Sequence, residues 1–324
     1  MGLLGLNSYW RMFGAHYHAR QIEKRLETIQ PNWDIAIAID SLLPVGALNL
    51  AKPLIYISDC TKAQLVQLKY PGYADMSKAN LRSTMAFERN AYQNCDLLVF
   101  ASQWACDSAV SQYGVPRRKV RAIPYGANLD DVPERHSTLE VRAGTDGLCR
   151  LLFLGVQWER KGGDMAVAVT KALNAQGLPA ELTICGCVPP SATPNVRVIP
   201  FLDKHKTEDR HRLNRLLTKA SYLIVPTKGD CSPIVFCEAF AYGLPVVTCN
   251  VGGVPEIVTH GVNGFVLDPN APAEEFAELI VENYRNQEAY LQFCIAARNA
   301  YEMTFNWQHW ARAIYTLAQG LVVS

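Results

Sequence analysis

Residues 229–245 read GDCSPIVFCEAFAYGLP and are the most informative segment of the sequence. Ser232 is a favoured N-cap residue and Pro233 suits the first helical position, so a helix is predicted from there. The four residues after Pro233 are apolar, which indicates a mostly buried helix that Gly243 ends. Residues 245–249, PVVTC, then predict a buried strand. A capped helix entered from a polar loop presents N–H groups and a positive dipole end, which suits a phosphate.

Two carboxylates flank the start of this helix. Asp230 lies in the loop before it and Glu238 about two turns inside it, on opposite sides of a phosphate bound there. An unpaired charge inside an apolar helix is costly, so Glu238 is expected to have a partner. For a lone pair at this spacing, the alternative is a solvated helix carboxylate and an ordinary loop residue.

A second helix start is predicted after the next strand. Gly252 and Gly253 permit unusual dihedral angles and close approach of the backbone, and Pro255 then begins a short helix. The pattern predicts a second anion site at a helix mouth, beside the first.

A basic pair is predicted at the same edge of the sheet. Residues 150–155 read as a strand running into a turn, and Arg160 and Lys161 follow before a helix over 164–175. Ligands bind at the carboxyl ends of strands in open α/β sheets, where a basic pair suits a diphosphate. A surface Arg-Lys pair in a turn is the alternative.

These residues carry a resemblance to a known family. Residues 151–267 resemble the nucleotide-sugar-binding domain of retaining GT-B glycosyltransferases of the group 1 or family 4 type. The matching segments are the Gly155…Arg160-Lys161-Gly162 turn, Asp230-x7-Glu238, and residues 239–247, 252–256 and 261–266. Residues 102–128 are similar to the end of the family's first domain.

The sequence departs from the family pattern at two positions of this site. Asp230 replaces the usual first glutamate, and Val156 stands where an arginine often follows the glycine, so that Arg160 is expected to supply the guanidinium. By the resemblance, Glu238 binds the ribose of a nucleotide, Asp230 a sugar hydroxyl, and Arg160 and Lys161 the diphosphate. The expected donor contacts are Gly155, Cys231, Ser232, Pro233, Ile234, Gly252 and Gly253.

The rest of the chain alternates helices with strands, among them the predicted strands 196–199 and 222–225. This alternation predicts parallel, doubly wound sheets in two Rossmann-like domains. The polar segment 142–147 is the predicted boundary. The expected domains are a partial acceptor-side domain over 1–143, a donor domain over 144–300 and a C-terminal helix over 301–324 that packs back on the first domain. The family's usual opening strand and glycine-rich loop are not recognised, so the first domain is predicted to be N-terminally truncated.

One further candidate lies in the first domain. Asp59 follows the apolar strand 54–57, where the family often places a polar residue facing the anomeric centre. A helix N-cap or turn residue is the alternative.

Composition narrows the function classes. A net charge of +1 argues against a nucleic-acid-binding protein, and no apolar run reaches the roughly 20 residues of a membrane span. Residues 1–6 lack the pattern of a signal peptide, and ten cysteines without such a signal suggest a reducing, cytoplasmic compartment. The cysteines show no metal-ligand spacing, so neither a metal nor a cofactor is expected.

The expected function is that of a retaining hexosyltransferase in polysaccharide biosynthesis. Its partners are a nucleotide diphosphate sugar and an acceptor that the sequence leaves open as a glycan, a lipid or a small molecule, and peripheral membrane contact also stays open. The rivals are a nucleotide-sugar epimerase of the same fold and a non-catalytic protein that binds nucleotide sugars.

Overall fold

The computed structural model describes residues 8–29, 33–40, 42–144, 146–191 and 194–322 of the 324-residue chain. The prediction that residues 1–6 are not a signal peptide lies outside the described residues, and so does Thr145 of the predicted domain boundary. The chain divides into two units, one up to Pro124 that also takes in residues from Ala311 onward, and one over Tyr125–Trp310.

The first unit contains a sheet of parallel strands in the order β1-β2-β3-β4. Its elements are α1 (Ser8–Ile29), β1 (Ala36–Ile39), α2 (Leu42–Val45), β2 (Leu54–Ser58), α3 (Lys62–Gln67), α4 (Lys78–Asn94), β3 (Leu97–Phe100), α5 (Gln103–Tyr113) and β4 (Val120–Ala122). Ser77 and Ser102 are the N-cap residues of α4 and α5, and Gly114 ends α5 in the left-handed conformation. Tyr56, Tyr92 and Phe100 lie in the core.

The second unit contains a larger parallel sheet. Its elements are α6 (Arg135–Ala143), β5 (Cys149–Leu154), α7 (Trp158–Lys161), α8 (Gly163–Ala175), β6 (Ala180–Cys185), β7 (Val196–Ile199), α9 (Thr207–Lys219), β8 (Tyr222–Val225), α10 (Ile234–Ala241), β9 (Val246–Cys249), β10 (Gly264–Leu267), α11 (Ala273–Arg285), α12 (Gln287–Met303) and the start of α13 (Trp307–Val322).

The strand order of this sheet, β10-β9-β8-β5-β6-β7, fixes where a ligand binds. The chain steps outward from β5 to β7, returns to β8 beside β5, and then steps outward on the other side. Successive residues of β5 enter opposite cores, with Leu151 and Phe153 on one face and Leu152 and Leu154 on the other. The reversal between β5 and β8 opens a crevice at the carboxyl ends of these strands.

The structure confirms the predicted doubly wound α/β class and corrects several local predictions. The turn that carries Arg160 and Lys161 is the short helix α7. α10 begins at Ile234 with Pro233 as its N-cap residue, one position later than predicted, and Ser232 makes no capping hydrogen bond there.

The two predicted domain limits fall at the end of one observed helix and inside another. Arg142 was placed in an irregular boundary segment but is buried at the end of α6. Residue 300 lies inside α12, and the contacts divide the chain after Pro124 and Trp310. The predicted domains, including the packing of the C-terminal helix on the first domain, stay a prediction.

Candidate functional site

The loops after β5 and β8 are held together by a glycine. Gly162 has a φ of +78°, and a Cβ at this position would collide with the carbonyl oxygen of Pro226, which follows β8. The backbone of Lys228 also donates to the carbonyl of Arg160 at 2.8 Å. These contacts bring the side chains of α7 against the loop that carries Asp230.

A compact charged cluster results. Lys161 Nζ donates to Asp230 Oδ2, and Arg160 Nη1 lies 3.8 Å from the same oxygen. Arg160 also donates to the carbonyl of Gly229 at 2.6 Å. The three side chains are each 15% exposed or less. Buried charges persist only when paired and hydrogen-bonded, and here two cations share one carboxylate, so the cluster keeps a net positive charge.

The cluster lies just ahead of α10. The N–H groups in the first turn of a helix have no partner within the helix, and its N-terminal end carries a partial positive charge. Pro233, Ile234 and Val235, at the start of α10, line a cavity of about 590 Å³ that Arg160 and Lys161 also line. Basic side chains and a helix start therefore face one cavity, which suits an anion such as a diphosphate.

Of the two predicted carboxylates, Glu238 lines this cavity, whereas Asp230 is not among the lining residues and is ion-paired to Lys161, which is. Glu238 is in the second turn of α10, with a side chain only 5% exposed, and its Oε1 accepts a hydrogen bond from Lys204 Nζ at 2.6 Å. Burial raises the pKa of Glu238, while the Lys204 ammonium and the backbone N–H of Asn128 lower it by smaller amounts. The partner expected for a buried charge is thus present.

Two glycines line the cavity at the ends of β5 and β6. Gly186 has a φ of +105°, and a Cβ on it would lie 2.8 Å from the carbonyl oxygen of Gly155. A side chain at Gly155 would also press on that of Lys161. Gly186 therefore needs to be glycine to keep this wall close to the basic pair, and at Gly155 an added side chain would displace that of Lys161.

The structure separates the remaining predicted contacts from this cavity. Cys231 is buried and, like Ser232, is not among the residues that line it. Gly252 and Gly253 follow β9 at the same edge of the sheet but also lie outside its lining. The short helix predicted after them is a single 3-10 turn, Val254–Glu256, with Gly253 as its N-cap residue, and the anion site expected at its start stays a prediction.

Asp59 lies in the first unit, directly after β2 at the carboxyl end of its sheet, and is half-buried. The N-cap of α3 is Thr61, whose hydroxyl accepts from the backbone N–H of Gln64. The alternative of Asp59 as a helix N-cap is therefore wrong, and its role in the site stays a prediction.

Sequence reasoning missed several residues that line the cavity. Among them are Asn128, Gly186, Phe201, Lys204 and His205. Phe201, Lys204 and His205 follow the strand β7. Because the carboxyl ends of parallel strands share one edge of the sheet, their position after a predicted strand could have indicated them as site residues.

The fold is that of a class of protein, the GT-B glycosyltransferases, in which two α/β units each contain a parallel sheet. The structure is similar to a sucrose-phosphate synthase from Thermosynechococcus elongatus, with a TM-score of 0.69 and 18% identity over 92% of this chain and 76% of the other. It is also similar to Anabaena HepE in complex with UDP-glucose, with a TM-score of 0.66 and 16% identity over 93% and 82% of the two chains.

Sequence comparison shows which glycosyltransferases this chain is similar to. Residues 149–286 match the family model of glycosyl transferases group 1. The chain is 26% identical over 255 residues to the amylovoran biosynthesis glycosyltransferase AmsK of Erwinia amylovora, covering 73% of this chain and 59% of the relative. It is 28% identical over 239 residues to a putative colanic acid biosynthesis glycosyltransferase of Salmonella typhimurium, covering 69% and 56%. The family match thus covers residues 149–286, the segment that contains the basic pair and both predicted carboxylates.

The chain spans less than two thirds of the length of these two curated relatives. None of the relatives and structures named above is an epimerase, so that rival gains no support. Within the part of the chain that the structure describes, no helix combines the length and the apolar character needed to cross a membrane.

Proposed function

We propose that this protein transfers a sugar from a nucleotide diphosphate sugar to an acceptor with retention of the anomeric configuration. The observation that carries the proposal is the cluster of Lys161, Arg160 and Asp230 ahead of α10, at the point where the strand order reverses. Transfer breaks the bond between the sugar and the diphosphate, and negative charge develops on the leaving phosphate. Preorganised cations and N–H groups aimed at that charge are the main way in which a protein accelerates such a step.

The roles divide along the cavity. Lys161, Arg160 and the first turn of α10 hold the diphosphate, and Glu238, farther along α10, accepts hydrogen bonds from the ribose. Asp230, ion-paired to Lys161, contacts a hydroxyl of the transferred sugar. Retention and the role of Asp59 rest on the family resemblance.

The class of donor and acceptor follows from the relatives. HepE is solved with UDP-glucose, which makes uridine diphosphate sugars the first donors to test. AmsK is named for amylovoran biosynthesis, which favours a saccharide-bearing acceptor in polysaccharide assembly. A cytoplasmic location is part of the same proposal.

A donor screen tests the function. The full chain is incubated with UDP-, GDP- and ADP-sugars, with and without saccharide acceptors, and the released nucleotide and the products are measured. The proposal expects acceptor-dependent release from one donor class and a product whose anomeric proton signal shows the configuration of the donor. A product of inverted configuration contradicts retention, an epimerised donor supports the isomerase rival, and binding without turnover supports the non-catalytic one.

A further inference from the structure

Glu238 is bound by a lysine that no sequence motif singled out. Lys204 lies between β7 and α9, 34 residues before Glu238 in the chain, and its ammonium reaches Oε1 at 2.6 Å. The Lys204 side chain is 47% exposed, whereas that of Glu238 is 5% exposed. The pair thus joins a buried carboxylate to a cation on the rim of the cavity.

We propose that Lys204 is a positioning residue of the donor site, which orients the carboxylate of Glu238 and supplies its counter-charge so that the carboxylate accepts hydroxyl groups of the donor's nucleoside. This inference rests on the proposed function. A carboxylate has two oxygens and about four acceptor sites, so it can accept from Lys204 and from a ribose at the same time.

The surroundings of the pair explain why a lysine serves here. Lys204 also lines a neighbouring cavity of about 210 Å³, together with Asn128 and His205, so the ammonium stands where the two cavities join. A long, flexible stem lets the charge follow the carboxylate while its other N–H groups stay in water. Removal of Lys204 would leave the buried carboxylate of Glu238 without its side-chain counter-charge, whereas removal of Glu238 would leave a half-exposed ammonium that can return to water.

Removal of Lys204 should change the pH dependence of nucleotide affinity in a definite direction. Burial already raises the pKa of Glu238, and Lys204 opposes that rise, so its loss moves the pKa further upward. The protonated carboxyl is a poorer acceptor, and nucleotide affinity should then fall as pH falls. The other titratable or charged side chains that line this cavity are Arg160, Lys161, Cys185, Asp203 and His205.

The test is calorimetric titration of UDP, GDP and ADP into the full chain at pH 6 and pH 8, with the tightest binder carried forward. Lys204→Met is expected to weaken binding by at least about tenfold at pH 6 and by clearly less at pH 8, since a lost hydrogen bond to a charged group costs about 1.5–3 kcal/mol. Lys204→Arg should restore most of the affinity. An unchanged Kd at both pH values in Lys204→Met overturns the inference.

Matched variants isolate the contact. Lys206→Met removes an exposed lysine two residues away and should leave nucleotide binding unchanged. His205→Gln should leave the pH dependence of nucleotide affinity in place. In a Glu238→Gln background, Lys204→Met should have little further effect, and a full additional loss contradicts the proposed coupling. If the wild type binds none of the nucleotides, the proposed function fails as well; if it binds one and Lys204→Met behaves like the wild type, this inference alone fails.

Discussion

Two buried glutamates, one in each unit, are held in different ways. Glu88 on α4 accepts from the backbone N–H of Lys62 at 3.0 Å and from the Tyr92 hydroxyl at 2.7 Å. Glu238 on α10 lies on a cavity wall, and its side-chain partner is the half-exposed Lys204. Burial raises the pKa of both carboxyls. The comparison indicates that burial alone does not identify a functional carboxylate. A carboxylate whose partners are held in place by the fold has a structural role, whereas one that lines a cavity and has a flexible partner is suited to binding.

The largest effect is expected near Glu238, at the diphosphate cluster. Lys161→Ala should lower kcat/KM by roughly 10²–10³-fold, because losing one donor aimed at developing charge costs about 3–4 kcal/mol of barrier. Lys161→Arg should rescue only in part, since the two head groups differ in geometry. Lys171→Ala, at an exposed position on α8, is the matched control. An unchanged kcat/KM in a folded Lys161→Ala protein removes Lys161 from the proposed role.

The two glutamates should separate stability from binding. Glu88→Ala leaves the Tyr92 hydroxyl and the Lys62 N–H without their buried acceptor, so the free energy of unfolding should fall by about 2–3 kcal/mol. Glu238→Ala should cost about 1 kcal/mol or less, because Lys204 can turn to water. Denaturant unfolding of both variants measures the difference. Equal losses would erase the distinction between a structural and a binding carboxylate.

Within the site, the two carboxylates should divide their effects. Asp230→Asn should depress turnover roughly tenfold with nucleotide affinity nearly unchanged, and Asp230→Glu should shift the preference among donor sugars. Glu238→Gln should weaken the nucleotide itself by a similar factor, because a hydrogen bond to a charged group contributes about 1.5–3 kcal/mol. Competition binding and turnover with several sugars measure both quantities. If both variants weaken nucleotide binding equally and leave sugar preference unchanged, this division is wrong.

The smallest expected effect is on the pH dependence of folding stability that Glu88 causes. The pKa of Glu88 is raised in the folded protein above the ordinary value of 4.5, so its stabilising contribution is complete below that value and is lost as pH rises through the folded pKa. Relative to a Glu88→Gln variant, the wild type should therefore lose stability as pH rises above 4.5. Unfolding curves across this range check the sign, and a relative gain would mean that hydrogen bonding outweighs burial at Glu88.

Much of the fold could be predicted because its strands are short apolar runs. Residues 196–199 and 222–225 were predicted with the bounds that β7 and β8 have. α9 was missed because Thr207–Lys219 is strongly polar, with only Leu213 and Leu217 buried. The strand β10 was also not predicted, because it is only four residues long and begins at a glycine, so its apolar periodicity is weak.

The site was predictable only in part. Arg160, Lys161, Asp230 and Glu238 follow strands or sit at a helix start, and such positions can be located along the chain. The pairing of Lys204 with Glu238 depends on how the segment after β7 reaches α10, and no local pattern encodes that approach. The start of α10 was misplaced because Ser232 has the chemistry of an N-cap, whereas the backbone turns helical one residue later.

The central claim is that the cavity beside α10 binds the nucleotide of a sugar donor through Glu238 and the basic cluster. The most direct measurement is calorimetric titration of UDP, GDP and ADP into the wild type, Glu238→Gln, Lys161→Ala and, as a control, Glu88→Gln. The account predicts binding of one nucleotide per chain that is weakened about tenfold or more in Glu238→Gln and Lys161→Ala and retained in folded Glu88→Gln. Equal affinity in all four proteins, or no binding by the wild type, would contradict it.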